Sequence, residues 1–218
     1  MIDGKKIMMD HDSPRTQSIE LSRLRPTQFT VGMLEVKFKR KRIRMLEKRP
    51  GELVDYILEL PIRVVLGPNE KVYVIDHHHL ALALLKEGLQ TAPMVIEADL
   101  SQLDLAAFWT KMQAVQWVHL VSGKGKPKSV DSLPKRLEDL KDDPYRSLAG
   151  FVRLAGGYAK TQAPFAEFQW AEFFRPRVNK KDLRSRFEKT VNKCVQLALG
   201  EEASGLPGYL GRPAQQAV

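Results

Sequence analysis

The sequence is poor in cysteine and has no long apolar run. Its single cysteine, Cys194, excludes an intrachain disulfide and a zinc site built from cysteines. Apolar stretches such as residues 80–85 are far shorter than the roughly 18 residues of a membrane-spanning helix. The first residues carry charges where a signal peptide would be apolar. We therefore expect a cytoplasmic protein without a membrane segment, and a buried thiol at Cys194.

Positive charge exceeds negative charge along this chain of 218 residues. Lysine and arginine total 35 against 26 acidic residues, which gives a net charge of +9. This excess favours anionic partners but does not choose among nucleic acid, nucleotide and acidic small molecules. The cations concentrate in two basic segments, 37–49 and 175–186. Such segments are either solvated helix faces or surfaces that contact the backbone of DNA or RNA.

Strand and helix patterns alternate in the first half of the chain, and aromatic-rich helix patterns fill the second. We predict an α+β fold with a flexible leader over 1–18, a mixed α/β domain over 19–121, a helical domain over 122–200 and a flexible tail over 201–218. Residues 122–129 have the composition of a flexible basic connector. The hydrophobic content of 43% is sufficient for a core.

Local signals predict where helices begin and end. Thr27 or Thr30 should cap a helix that starts near residue 31, and Asp99 or Ser101 a helix through residues 103–112. Asp143, which precedes a proline, is a standard helix start. Helices are also predicted over 134–140, over the aromatic-rich and mainly core residues 165–174, and over 181–199.

Segment 72–88 carries the strongest functional signal. Residues 72–75 are β-branched or aromatic, as in a buried strand, and residues 80–85 are helix formers that end at Gly88. Asp76 is then the expected N-cap, and three adjacent histidines fill the first helical turn. The unpaired N–H groups and the dipole of a helix N-terminus bind phosphate or carboxylate groups. We therefore expect an anion site here.

Three interpretations of the histidines stay open, because the helix dipole disfavours a charged imidazole at this end. The first is ordinary packing against the strand. The second is a metal site with Asp76 and His77 as ligands, helped by a carboxylate elsewhere, since successive helical side chains point about 100° apart. The third is phosphate or nucleotide contact, with Asp76 or one histidine in proton transfer.

Glu35 stands among cations near the entrance of the helix that starts at residue 31. It either forms an ion pair with Lys39, four residues further on, or acts as a general base or metal ligand facing Asp76. Gly32 at the same entrance is a position where backbone can approach a ligand closely.

Three pieces of the first hundred residues resemble the ParB/sulfiredoxin superfamily. They are Leu24-Arg25-Pro26 with the helix that follows, the strand Leu60-Pro61-Ile62-Arg63-Val64, and the turn Tyr73-Val74-Ile75-Asp76-His77-His78-His79. The resemblance places Asp76 where the superfamily's phosphate-binding turn has glycine. It places His77 where sulfiredoxins have their catalytic cysteine, so a sulfiredoxin activity is not expected.

Over nearly its whole length the chain resembles the group of ParB-like nucleases. The matching motifs are Arg25-Pro26-Thr27-Gln28, Val31-Gly32-Met33, Glu35-Val36, Asp76-His77-His78-His79-Leu80, Phe108-Trp109, residues 142–149 and Phe165-Ala166-Glu167-Phe168. Superfamily members bind CTP or ATP, and some phosphorylate a small molecule with an acidic residue as base. The resemblance therefore implies a nucleotide such as ATP, ADP or CTP with magnesium or another divalent metal, and it assigns the base to Glu35.

Three functions are consistent with these signals. The first is a nucleotide-dependent phosphotransferase or NTPase that acts on a nucleotide or a phosphorylated small molecule. The second is a metal-dependent nuclease or phosphodiesterase, and the third is a DNA-binding or regulatory protein without chemistry, which would use segments 37–49 and 175–186. The candidate residues are Glu35, Asp76 and His77 for catalysis, Arg25, Thr27, Lys37, His78 and His79 for phosphate, Gln28, Gly32, Asp142 and Arg146 for the pocket, and Asp76 and His77 for a metal.

Overall fold

Residues 17–212 are described by a computed structural model, and they divide into two units. The first unit holds residues 17–31 together with Val36–Asp142, and the second holds Gly32–Glu35 together with residues 143–212. The first unit mixes strands and helices, whereas the second is helical, which confirms the predicted α+β class and the helical second half. The division lies later in the chain than the predicted limit at residue 121.

The first half of the chain contains β1 (Gln17–Glu20), β2 (Leu24–Pro26), β3 (Thr30–Val31), α1 (Met33–Leu46), α2 (Glu52–Leu58), β4 (Ile62–Gly67), β5 (Lys71–Val74), α3 (His78–Lys86), β6 (Thr91–Asp99), α4 (Leu105–Ala114) and β7 (Lys141–Asp142). The first unit is built around a five-stranded sheet in the order β1-β6-β4-β5-β2. β5 is antiparallel to β4 and parallel to β2, while β6 is parallel to β4 and antiparallel to β1.

The helix α3 is buried from His78 to Leu84. It joins two strands of the same sheet, because the chain enters it from β5 and leaves it for β6. The strand β5 is buried from Val72 to Val74, so its carboxyl end and the start of α3 form the strand-turn-helix that the sequence predicts. A second, two-stranded sheet pairs β3 with β7 in parallel.

Helices that pack around α5 form the second unit. They are α5 (Pro144–Leu154), α6 (Ala166–Phe174), α7 (Lys180–Ser185) and α8 (Phe187–Ala198). Trp170 is fully buried and stacks on Tyr158 with ring centroids 4.2 Å apart, and Phe168 and Phe174 are buried on the same helix. The aromatic run is therefore core, as predicted. Cys194 is also buried, which confirms its structural role.

Several predicted helix boundaries are wrong. Asp104, rather than Asp99 or Ser101, caps α4 by accepting a hydrogen bond from the N–H of Ala107. The segment 134–140 contains only a short 3-10 turn, because the chain there turns into β7 and its pairing with β3 overrides local helix propensity. The predicted last helix is two helices, α7 and α8, interrupted at Arg186, whose backbone is not helical.

The segment predicted as a flexible connector forms a hydrogen-bonded turn. The N–H of Ser122 donates to the carbonyl of Lys126, and the N–H of Lys128 donates to the carbonyl of Leu120. The segment therefore folds back on itself within the first unit. Residues 1–16 and 213–218, which include most of the predicted leader and part of the predicted tail, lie outside the described residues.

Candidate functional site

The turn between β5 and α3 differs in one respect from the prediction. His77, not Asp76, occupies the N-cap position, and its backbone is left-handed with φ 66°. Asp76 lies one residue earlier, and its carboxylate accepts the N–H of His77 at 2.6 Å. A non-glycine residue in this conformation is strained, and such strain concentrates at functional sites. The first N–H groups of an α-helix have no acceptor within the helix itself, so a helix start can bind an anion.

His77 is held in one orientation by the main chain. Its Nδ1 lies 2.9 Å from the carbonyl oxygen of Pro61. A carbonyl only accepts hydrogen bonds, so Nδ1 carries the proton and the neutral ring leaves Nε2 as an acceptor. The side chain is 30% exposed, and Nε2 lies 4.0 Å from Asp76 Oδ2. The arrangement gives the turn an oriented imidazole whose Nε2 can accept a proton.

The next two histidines are inside the protein. His78 and His79 are both buried. The backbone N–H of Thr27 donates to Nε2 of His78 at 3.2 Å, while the Thr27 hydroxyl donates to the carbonyl of Val74 at 2.6 Å. A ring nitrogen that accepts an N–H is unprotonated, so this ring is neutral with its proton on Nδ1. Of the three histidines, His77 is the most exposed.

Two charged residues beside the turn are absent from the predicted set. Arg63 Nε donates to Glu97 Oε1 at 2.7 Å. The hydrogen bond to Glu97 raises the pKa of Arg63, and the negative charge of Asp76 raises it further. The same hydrogen bond lowers the pKa of Glu97. Arg63, Glu97 and Asp76 thus form one charged group. The sequence signal was the position of Arg63 between two buried strand residues, Ile62 and Val64, which turns its side chain outward.

Four further residues of the first unit were predicted to belong to the site. Arg25 pairs with Tyr73 across β2 and β5 and is partly exposed. Gln28 is buried and donates from its side chain to the carbonyl of Thr30 at 2.8 Å. Lys37 lies on the exposed side of α1, and Asp142 is an exposed residue of β7.

A second group of charges lies in the helical unit. Arg146 Nη1 donates to Glu35 Oε1 at 2.9 Å, and its Nη2 lies 3.8 Å from Glu167. Arg153 Nε lies 3.3 Å from the same Glu167. Gly150 makes room for this group, since a Cβ there would lie 2.6 Å from the Glu35 carboxyl carbon. Glu35 and Arg146 are therefore brought together, whereas Asp76 and His77 belong to the other unit.

The entrance of α1 is capped from α5 and not by a threonine. Ser147 Oγ accepts the backbone N–H of Leu34 at 3.2 Å. Gly32 is required beside it, because a Cβ would lie 2.7 Å from the Ser147 backbone nitrogen. The close approach expected at Gly32 is thus to protein backbone. The prediction that Thr27 or Thr30 is the cap is wrong, as the Thr27 hydroxyl bonds to Val74 and Thr30 lies in β3. Asp143 caps α5, as predicted.

The turn provides few ligands for a metal ion. Within residues 17–212, no three histidine, cysteine, aspartate or glutamate side chains are grouped so that they could hold a metal. Asp76 and His77 supply two donors. Magnesium is usually bound by one or two carboxylates together with other oxygen ligands, so the exposed Asp76 carboxylate could supply one ligand to such an ion.

The Asp76 side chain is 60% exposed, so the turn lies at the surface of its unit.

No helix in the described part of the chain is long and apolar enough to span a membrane.

Comparison with solved structures finds proteins of similar sequence and fold. The crystal structure of protein Atu1540 from Agrobacterium tumefaciens shares 39% sequence identity, with 93% of this chain and 100% of that chain covered and a TM-score of 0.84. A conserved hypothetical protein from Pyrococcus furiosus is 14% identical over 87% of this chain and 79% of that chain, and its TM-score of 0.27 is too low to support an argument. A search of curated proteins finds no match.

The family whose model matches carries the description "Putative ParB-like nuclease" and covers residues 17–176. That range includes both the turn at Asp76 and the charge group at Arg146. The chain belongs to this ParB-like nuclease family.

Proposed function

We propose that the protein binds a magnesium–nucleotide complex at the start of α3 and transfers or hydrolyses a phosphoryl group, with His77 as general base. The substrate is a nucleotide such as ATP, ADP or CTP. The acceptor of the phosphoryl group is either a small molecule or water.

The observation that carries this proposal is the hydrogen bond between His77 Nδ1 and the carbonyl of Pro61. It fixes the tautomer and leaves Nε2 free to take a proton from an attacking hydroxyl or water. A base that is oriented by a second group is the usual arrangement for activating a nucleophile.

The surroundings of His77 support the proposed phosphate binding. The first N–H groups of α3 and the helix dipole favour the phosphate oxygens. Arg63 supplies a cation beside the turn, and Arg25 and Lys37 stay candidates for the same role. Magnesium, held by Asp76 together with the phosphates, would neutralise charge on the transferred group. Because phosphoryl transfer depends mainly on positioning and charge stabilisation, such a small set of groups is sufficient.

Glu35 was the base assigned by resemblance, and that role stays a prediction. Its carboxylate accepts a hydrogen bond from Arg146 in the second unit. A carboxylate held by a guanidinium accepts a proton poorly, because the ion pair stabilises its charged form. We therefore assign the base to His77 in preference to Glu35.

Calorimetric titration with ATP, ADP and CTP, with and without magnesium, tests nucleotide binding. We expect saturable binding that magnesium strengthens in the natural protein but not in Asp76→Asn. A failure to bind any of the three at millimolar concentration would contradict the proposal.

Phosphate release or transfer then tests the base. His77→Gln should bind nucleotide normally and lose about 10²- to 10⁴-fold in turnover, the usual contribution of a general base. Glu35→Gln should keep turnover within a few fold. The opposite result, with turnover lost in Glu35→Gln and kept in His77→Gln, would return the base to Glu35.

A second candidate is a metal-dependent nuclease, which membership of the ParB-like nuclease family favours. The same His77 would activate water toward a phosphodiester, and Asp76 would hold the metal. Plasmid and single-stranded oligonucleotide cleavage should then require added metal and disappear in His77→Gln. Cleavage that survives this substitution and a chelator would indicate a contaminant and exclude this candidate.

A further inference from the structure

Two arginines on α5 carry buried N–H groups that form no hydrogen bond in the described part of the chain. These are the Nε groups of Arg146 and Arg153. The two residues are separated by about two helical turns and therefore lie on the same side of α5. Nearly all buried donors in native proteins have an acceptor, and an exception calls for an explanation such as a bound ligand.

Glu167, in the first turn of α6, lies between the two guanidinium groups without a hydrogen bond to either. Its Oε2 is 3.8 Å from Arg146 Nη2, which is beyond hydrogen-bond distance. Its Oε1 is 3.3 Å from Arg153 Nε, but the two groups are not aligned for a hydrogen bond. Arginine and carboxylate in close contact often share two parallel hydrogen bonds. Glu167 therefore marks a position for an anion between the arginines, and it is only loosely attached there.

The surroundings of Glu167 are closed on one side and open to solvent on the other. The ion pair of Arg146 with Glu35 is largely buried, and Gly150 leaves room for the Glu35 carboxylate against α5. The Phe168 ring centre lies 5.4 Å from the guanidinium carbon of Arg146. The side chains of Arg153 and Glu167, by contrast, are 25% and 30% exposed, so a ligand can enter beside them.

The backbone at the start of α6 is strained. Phe165, the N-cap residue two positions before Glu167, has a left-handed backbone with φ 55°. A residue other than glycine keeps this conformation only where the surrounding structure enforces it, and such residues cluster at ligand sites and switch regions.

We propose that the arginine site, formed by Arg146, Arg153 and Glu167, binds the carboxylate of a small organic acid. The ligand takes the place of Glu167 between the guanidinium groups, and the Glu167 side chain turns toward solvent. A carboxylate fits because the site already holds one, and a free carboxylate can align with the two Nε groups that Glu167 does not satisfy. One negative charge replaces another, so the bond from Arg146 to Glu35 is kept.

The arginine site is separate from the turn that carries His77. All of its residues belong to the second unit, whereas Asp76 and His77 belong to the first. The proposal therefore does not rest on the phosphoryl chemistry, and a protein without turnover would still bind the carboxylate.

The test is a titration of the full ¹⁵N-labelled chain with sodium acetate, followed by NMR of the arginine Nε–H groups. Sodium chloride at equal ionic strength is the reference, and sodium phosphate is titrated in parallel. Arg146→Lys and Arg153→Lys each remove one resonance and so assign the two signals.

Two variants change the site, and each has a matched control. Glu167→Gln removes the carboxylate that competes with the ligand, and Glu172→Gln makes the same charge change elsewhere on α6. Arg153→Gln removes one of the two guanidinium groups, and Arg184→Gln removes an exposed one from α7.

We expect acetate, unlike chloride, to move the Nε–H resonances of Arg146 and Arg153 saturably in the natural chain. Glu167→Gln should bind acetate about fivefold more tightly, because it removes a competing charge of the kind found in exposed pairs. Arg153→Gln should lose about tenfold or more in affinity, as expected for a lost hydrogen bond to a charged group. Both control variants should bind acetate as the natural chain does.

Three outcomes would overturn the proposal. One is that acetate moves the two Nε–H resonances no more than chloride does. Another is an equal gain of affinity in Glu172→Gln, which would assign the effect to net charge alone. The third is saturable binding of phosphate at these arginines without binding of acetate, which would exclude a carboxylate as the ligand.

Discussion

The backbone N–H of Thr27 donates a hydrogen bond to Nε2 of His78 across 3.2 Å. This bond joins the residue that follows β2 to the first residue of α3, and both residues are buried. The middle histidine of the three is thus a structural acceptor. It fixes the start of α3 relative to the sheet and so positions His77, which precedes it by one residue.

Replacement of His78 by Leu should destabilise the protein by about 1–3 kcal/mol, because the Thr27 N–H would be left buried without an acceptor. His78→Gln, whose side-chain oxygen can accept the same N–H, should lose less. Urea unfolding followed by circular dichroism measures both. Equal stability of His78→Leu and the natural protein would show that the bond does not support the fold. Imidazole ¹⁵N spectra should place the His78 proton on Nδ1 in the folded state.

The ion pair between Arg146 and Glu35 should show strong coupling. Their side chains are 10% and 17% exposed, so removal of one partner leaves a charge that is largely buried. We expect Arg146→Met to cost about 3 kcal/mol, the lower part of the range for such pairs. The double variant Arg146→Met/Glu35→Met should cost less than the sum of the two single variants. Additive losses in a denaturant-based double-mutant cycle would exclude the coupling.

Much of the first unit could be predicted from local pattern alone. The strand before Asp76 and the helix that begins at His78 follow from short-range composition, whereas the anion site predicted at their junction stays a prediction. The orientation of His77 could not be predicted, because it depends on the carbonyl of Pro61, which lies 16 residues earlier in the chain. The wrong N-cap has a similar cause: a left-handed backbone at His77 has no signal in a sequence without glycine there.

In the second unit, too, local signals could be predicted from the sequence, whereas contacts between distant residues could not. Asp143 is followed by proline, and its cap was predicted because both signals are local. The cap of α1 was not, since Ser147 lies 113 residues from Leu34 in the chain. The ion-pair partner predicted for Glu35 was likewise a local one, Lys39, four residues away. Helical periodicity gives no indication of the contact between Glu35 and Arg146. Long-range pairs of this kind follow from tertiary packing and not from propensity.

Release of Arg63 from Glu97 should strengthen nucleotide binding, a prediction that rests on the proposed function. Glu97→Gln removes the carboxylate that holds the Arg63 guanidinium, and it also removes a negative charge near the phosphates. We expect the affinity for the magnesium–nucleotide complex to rise by up to about fivefold, since an exposed pair contributes about 0.2–1 kcal/mol. Arg63→Gln should lower it. Calorimetric titration measures both changes.

Glu52→Gln is the control for this comparison, because it breaks the exposed pair between Arg49 and Glu52 on α2 and changes the net charge equally. Its nucleotide affinity should match that of the natural protein. A rise in Glu52→Gln equal to that in Glu97→Gln would mean that net charge alone is responsible.

Stability should decline at alkaline pH through Cys194. Burial raises the pKa of this thiol from its ordinary value of 9.0 to about 11. Between these two values the unfolded chain loses the thiol proton while the folded protein keeps it, so the folded state binds more protons and its stability falls as pH rises. Burial also raises the pKa of Tyr158, which extends the decline above pH 10.0.

Urea unfolding of the natural protein and of Cys194→Ala, at pH values on both sides of 9.0, tests this contribution. The substitution lowers stability at every pH by removing a buried side chain, so the comparison concerns the slope and not the level. We expect the free energy of unfolding to fall less steeply with pH in Cys194→Ala. A thiol reagent should also modify the natural protein only after denaturation, because the thiolate is the reactive form. Parallel pH profiles together with rapid modification of the native protein would show that the thiol is accessible and ionises normally.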